Sequence, residues 1–172
     1  MSEELEYRLQ DGFTTEGYIK DQNCFSSVRY RTMTANLNGC GWVAAYNIRH
    51  YLGHSVGWRD VCNELDSMHR LRVPGPTLMR VMRAYWDRWI PGWKETVGRE
   101  QALAAAESST CGIFRYHEKR VPHFVSYIRQ SDNLFRFFNV DDNLEDTVMT
   151  MSQFGSEHLL RGTVILLSLP LR

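Results

Sequence analysis

The chain has 172 residues, 43% of them hydrophobic and 23% charged, with twenty basic side chains balanced by twenty acidic ones. That is about one domain's worth of sequence with enough apolar residues to bury a core, which excludes a disordered chain. The zero balance argues against nucleic acid as a partner, and no window approaches the ~18 apolar residues that a membrane crossing needs.

The opening "MSEELEYRLQDG" is acidic and lacks the basic-then-apolar order of a secretory signal, so a cytoplasmic location is expected. Residues 1–35 read as polar and irregular, wrapping the surface, with "YRTMT" at 30–34 as a short extended approach to Cys40. Ala44, Asn47, Ile48 and Tyr51 recur at helical spacing and predict a helix over 41–51, closed by Gly53. A second helix is expected over 58–68, where Trp58, Val61, Cys62 and Leu65 form a buried stripe.

"VPGPT" at 73–77 is a strong breaker, and Pro76 suits the first turn of a third helix. That helix carries Leu78, Met79, Met82, Tyr85, Trp86 and Trp89 and ends at Pro91; its aromatics fall at core spacing, leaving its arginines as a solvated face. An alanine-rich helix follows near 100–107. From Cys111 the character changes: "CGIFRY", "PHFVSYIRQ", "LFRFFNV" and "GTVILLSL" read as antiparallel strands separated by polar turns, with a brief helix over 151–158. The order is helices first, then sheet. This predicts an α+β fold, one domain over 1–172, with an N-terminal segment and helical lobe (1–110) and a β-lobe (111–172).

Cys40 stands between two glycines at the start of the first long helix, in "NLNGCGWVAAYNIRHYLG". Unpaired N–H groups and the macrodipole at a helix N-terminus favour negative charge, so a thiol placed there is drawn toward the nucleophilic thiolate. Gly39 and Gly41 are read as clearing the approach of a substrate carbonyl, with Gly39 permitting an unusual turn. Trp42 is assigned to the cleft wall or to packing. Cys24, Cys62 and Cys111 read as small buried hydrophobes.

A thiolate nucleophile needs a base. Of the six histidines only His123 opens a strongly apolar strand; His50 and His54 flank a helix end, and His69, His117 and His158 lie in charged stretches expected to be exposed. His50 and His54 have Gly53 between them and no third ligand at a recognised spacing, so no metal is expected. The imidazole in turn needs an acceptor for its second nitrogen, and Asn139, at the end of the next strand, fits. Asp141, two residues on, is an alternative orienter.

A "GCGW" helix start, a later "HFV" strand and an Asn ending the following strand resemble the papain-like cysteine peptidases, particularly the small bacterial members and bacteriocin-processing peptidases. The likeness runs over about residues 30–170. It implies a helical lobe and a β-lobe flanking a cleft, Cys40 as nucleophile, His123 as base, Asn139 as orienter, a peptide or protein substrate, and no metal or organic cofactor. One departure stands out. The family commonly carries Gln six residues before the cysteine to complete the oxyanion hole, and this chain has Thr34 there. Asn36 and Asn38 are the candidate replacements. An acyltransferase or amidase sharing the acyl-enzyme, and a catalytically silent peptide-binding module, are the alternatives.

Overall fold

The long helix that begins at Cys40 is apolar on nearly every side because it lies between layers. The computed structural model describes residues 11–69, 75–118, 121–140, 147–159 and 162–171. A short helix α1 (Ala35–Asn38) leads into α2 (Cys40–Tyr51), followed by α3 (Trp58–Ser67), α4 (Met79–Trp89), α5 (Arg99–Glu107) and α6 (Met151–Glu157). A two-stranded hairpin, β1 (Arg29–Tyr30) and β2 (Met33–Thr34), precedes α1. The main sheet holds β3 (Lys94–Val97), β4 (Ser109–Glu118), β5 (Val121–Arg129), β6 (Phe135–Phe138), β7 (Thr147–Met149) and β8 (Ile165–Pro170). Its order is β3-β8-β4-β5-β6-β7, with every pairing antiparallel.

Side chains alternate across a strand, and here each face finds a different core. Cys111, Ile113, Phe124 and Ile128 join Val43, Ala44 and Ile48 of α2 and the buried faces of α3 and α4. Phe114, Tyr116, Val125 and Tyr127 instead meet Ala102 and Ala106 of α5 and Phe154 of α6. Burial on both faces explains why these strands read as continuous apolar runs rather than clean alternation. The α+β expectation holds. Two elements that precede residue 111 nevertheless belong to the sheet side: β3, which the sequence reading does not contain, pairs with β8, and the alanine-rich helix α5 packs in the second core. β3 escapes sequence reading because "KETV" is a half-exposed edge strand with no apolar face to produce a period.

Three other expectations shift. Pro76 is outside the third helix, which starts at Met79, and its carbonyl instead accepts from Arg31 (2.8 Å). His69 is buried, its Nδ1 against the Leu65 carbonyl at 2.7 Å, and burial lowers its pKa; His117 and His158 are half-buried. The N-terminal segment is no loose wrapping: Ile19 and Phe25 are fully buried. The side chain of Asn47, on α2, accepts from the Ile19 N–H and donates to its carbonyl, both at 2.8 Å, imitating a strand partner.

Helix α2 is pinned at its far end as well. Arg49 donates to Tyr85 (3.0 Å), pairs with Glu64 (3.4 Å) and lies over the Trp89 ring at 4.1 Å, joining α2, α3 and α4. Among the described residues no helix is long and apolar enough to cross a membrane.

Candidate active site

Cys40 is the first residue of α2 and lines a cleft of about 290 Å³. Its polar neighbours in that lining are Gln22, Asn38 and His123. The walls are apolar: Met33, Leu37 and Pro76 on one side, Val121 and Pro122 beside the histidine. Leu37 and Val121 are also largely exposed, 63% and 58%, although both are large hydrophobics. Among the described residues no charged side chain lines the cleft.

His123 lies near the start of β5. Its Nε2 is 2.7 Å from the main-chain oxygen of Asn139, and its ring sits edge-on to Tyr116. A carbonyl only accepts, so Nε2 must carry the hydrogen. That contact differs from the expected one, in which the Asn139 side chain is the acceptor. The side chain is turned the other way: Oδ1 accepts from the Gln22 N–H (2.9 Å), and Nδ2 donates to Gln22 Oε1 (3.0 Å). Asn139 has a left-handed backbone, φ 63°, a conformation asparagine tolerates better than most residues. This turn at the end of β6 presents the carbonyl to the imidazole. Asp141 lies outside the described residues.

The two asparagines before the cysteine are differently placed. Asn38 lines the cleft, but its amide nitrogen already donates to the carbonyls of Tyr30 (3.1 Å) and Gly75 (3.2 Å). It secures the wall rather than facing a substrate. Asn36 is not part of the cleft lining; its carbonyl accepts from Gln22 Nε2 at 2.9 Å. Thr34 caps α1. The residue that sequence reasoning missed is therefore Gln22, brought into the cleft by the 3₁₀ turn Gln22–Phe25. Eighteen positions separate it from Cys40, and the hairpin β1–β2 with α1 fills the interval. No local spacing signals it.

The glycines around Cys40 serve packing. Gly39 has ordinary helical angles, φ −78°, so no unusual turn is needed; a Cβ there would lie 2.3 Å from the Ala35 oxygen. At Gly41 a Cβ would meet Thr77 Oγ1 at 2.1 Å, where Thr77 is buried and shares a 2.7 Å hydrogen bond with Tyr30. Trp42 is fully buried against Phe25 and Trp58, away from the cleft lining.

Cys62 and Cys111 are buried as expected, whereas Cys24 is only half-buried. Burial pushes the thiols of Cys62 and Cys111 up to about 12 and raises that of the half-buried Cys24. The Nε2 of His50 lies against the Glu16 carbonyl (2.7 Å), and among the described residues no three His, Cys, Asp or Glu side chains gather as a metal site.

The sequence matches no protein-family model and no curated protein. The backbone does find a relative in shape. It superposes on the peptidase domain of Streptococcus ComA, a bi-functional ABC transporter involved in a quorum-sensing pathway, with a TM-score of 0.52 over 77% of this chain and 93% of that one. The fold is that of a papain-like peptidase domain. At 15% identity this likeness concerns the fold alone.

Proposed function

We propose that the protein is a cysteine peptidase acting through a thiolate at Cys40. The observation that carries this reading is the convergence of Cys40 and His123 on one cleft, with the imidazole hydrogen held by a main-chain carbonyl. With Nε2–H donating to Asn139, Nδ1 is the basic nitrogen of the neutral ring, and it takes the proton of the thiol. The thiolate then attacks the carbonyl carbon of a peptide bond. The negative oxygen of the tetrahedral intermediate is held by donors at the start of α2 and by the amide of Gln22. One hydrogen of that amide is used on Asn36, which leaves the second for the oxyanion. His123 returns its proton to the leaving amine, and water activated by the same imidazole releases the acyl group.

Gln22 thus takes the part for which Asn36 and Asn38 are the sequence candidates, and it removes the main reason for reading the domain as catalytically silent. The uncharged, apolar walls favour peptides whose side chains flanking the scissile bond are apolar. Hydrolysis and transfer to an amine share every step up to the acyl-enzyme.

Two experiments bear on this reading. Iodoacetamide at pH 6, with the labelled peptide located by mass spectrometry, is expected to modify Cys40 well ahead of an unfolded peptide thiol. Cys62 and Cys111, protonated far above that pH, stay unlabelled until the protein unfolds. A rate at Cys40 equal to that of the unfolded thiol removes the proposal. Gln22→Ala is expected to lower kcat by about 10²–10³ with KM little changed, the cost of one oxyanion donor. Wild-type turnover in that variant rules Gln22 out of the hole.

A further inference from the structure

Asn139 is bound on every polar atom. Its N–H donates to the Lys20 carbonyl (3.1 Å), its own carbonyl meets His123 Nε2 (2.7 Å), and its side chain makes the reciprocal pair with Gln22. Gln22 continues the chain of contacts to the Asn36 carbonyl on α1, one helix before Cys40. A single run of hydrogen bonds therefore joins the imidazole side of the cleft to the cysteine side. It passes through residues 117 positions apart in sequence.

The left-handed backbone at Asn139 is uncommon for a residue other than glycine and persists where the surroundings over-determine it. Here the over-determining contacts come from the N-terminal arm, at Lys20 and Gln22. The direction of the Asn139 carbonyl follows from the backbone conformation of that residue, so whatever holds the conformation aims the oxygen at the ring.

We propose that Asn139 is a positioning residue whose side chain, locked reciprocally to Gln22, aims its main-chain carbonyl at His123, so that the N-terminal arm is part of the imidazole's support. Without the lock, Nε2–H loses its fixed acceptor and the ring populates both tautomers. The basic nitrogen then faces the cysteine only part of the time. The catalytic consequence rests on the proposed peptidase chemistry; the positioning itself does not.

The test uses the full-length chain labelled with nitrogen-15. Long-range proton–nitrogen spectra report the His123 tautomer without reference to activity. In the Cys40→Ala chain, whose neutral ring holds no thiol proton, the spectrum is expected to show the Nε2–H form alone, and the Asn139 variants are compared in that same chain. Asn139→Gly permits the same backbone angle and keeps the carbonyl while removing both side-chain bonds, and it is expected to show a mixture of tautomers. Asn139→Asp keeps the acceptor, loses the donor, and should fall between the two. Adding Gln22→Ala to Asn139→Gly is expected to change the tautomer ratio no further, because the pair is already broken. With Cys40 in place, its alkylation by iodoacetamide at pH 6 should be slower in Asn139→Gly than in wild type. A folded Asn139→Gly with the Nε2–H form alone overturns the proposal; should that variant fail to fold, an unchanged tautomer in Asn139→Asp overturns it equally. Slow alkylation of wild-type Cys40 at pH 6, unaltered by His123→Ala, would defeat the peptidase reading and leave the spectroscopic result standing.

Discussion

His123→Ala is expected to reduce kcat/KM on a peptide substrate by at least about 10⁴-fold, as loss of the base in a nucleophile–base pair commonly does. Cys40→Ala should be as severe, and the double variant no worse than either single one, because the two groups act as one unit. The cleft holds Cys40 and His123 together with two amides, Gln22 and Asn38, and neither amide accepts a proton at neutral pH. No second base is present among the described lining residues to take over. Alkylation gives a second signature: Cys40 should react more slowly with iodoacetamide at pH 6 in His123→Ala than in wild type. Peptidase activity within tenfold of wild type in His123→Ala would rule this mechanism out.

Gly41→Ala is expected to act on stability, and the physical reason is steric. The added methyl would lie 2.1 Å from Oγ1 and 2.4 Å from Cβ of Thr77, a branched, buried side chain whose hydroxyl is shared with the fully buried Tyr30. Thr77 has no flexible end to swing aside, so α2 and the segment before α4 must separate. Overpacking of this kind costs about 1–3 kcal/mol, and the depth of the overlap puts Gly41 at the upper end. For a chain of this size that corresponds to a lowering of Tm on the order of 10 °C, read by thermal unfolding. Thr77→Gly in the same chain should recover much of the loss. If the glycine serves substrate access instead, Gly41→Ala will melt like wild type and fail only in kcat/KM.

These two expectations divide the "GCG" stretch between chemistry and packing, a division that the sequence does not make. A cysteine between glycines is open to either reading, because a missing side chain shows only that space is needed, not what fills it. The neighbours that fill it, Ala35 and Thr77, approach from before and after the helix. The same holds for Asn139. Its place at the end of the strand after His123 is legible from strand order alone, since two antiparallel neighbours bring those ends together. Which of its oxygens meets the imidazole depends on its backbone conformation and on the contacts of its N–H and side chain with Lys20 and Gln22.

Periodic features were the readable ones. The helix stripes from Trp58 and Met79, the apolar strands from Cys111 onward and the helix start at Cys40 each arise from a repeat or a cap contained within a dozen residues, so sequence by itself determined the α+β order and the placing of Cys40 at a helix start and His123 near a strand start. The edge strand β3 has no such repeat, and the shared two-sided burial of the sheet is a property of three layers rather than of any one segment. Tertiary structure alone decided that Gln22 enters the cleft, that Asn38 is spent on its wall, and that a carbonyl rather than an amide holds His123. Each of those outcomes is a hydrogen bond or close approach between segments distant in the chain, and such contacts leave no period, spacing or cap in the residues that make them.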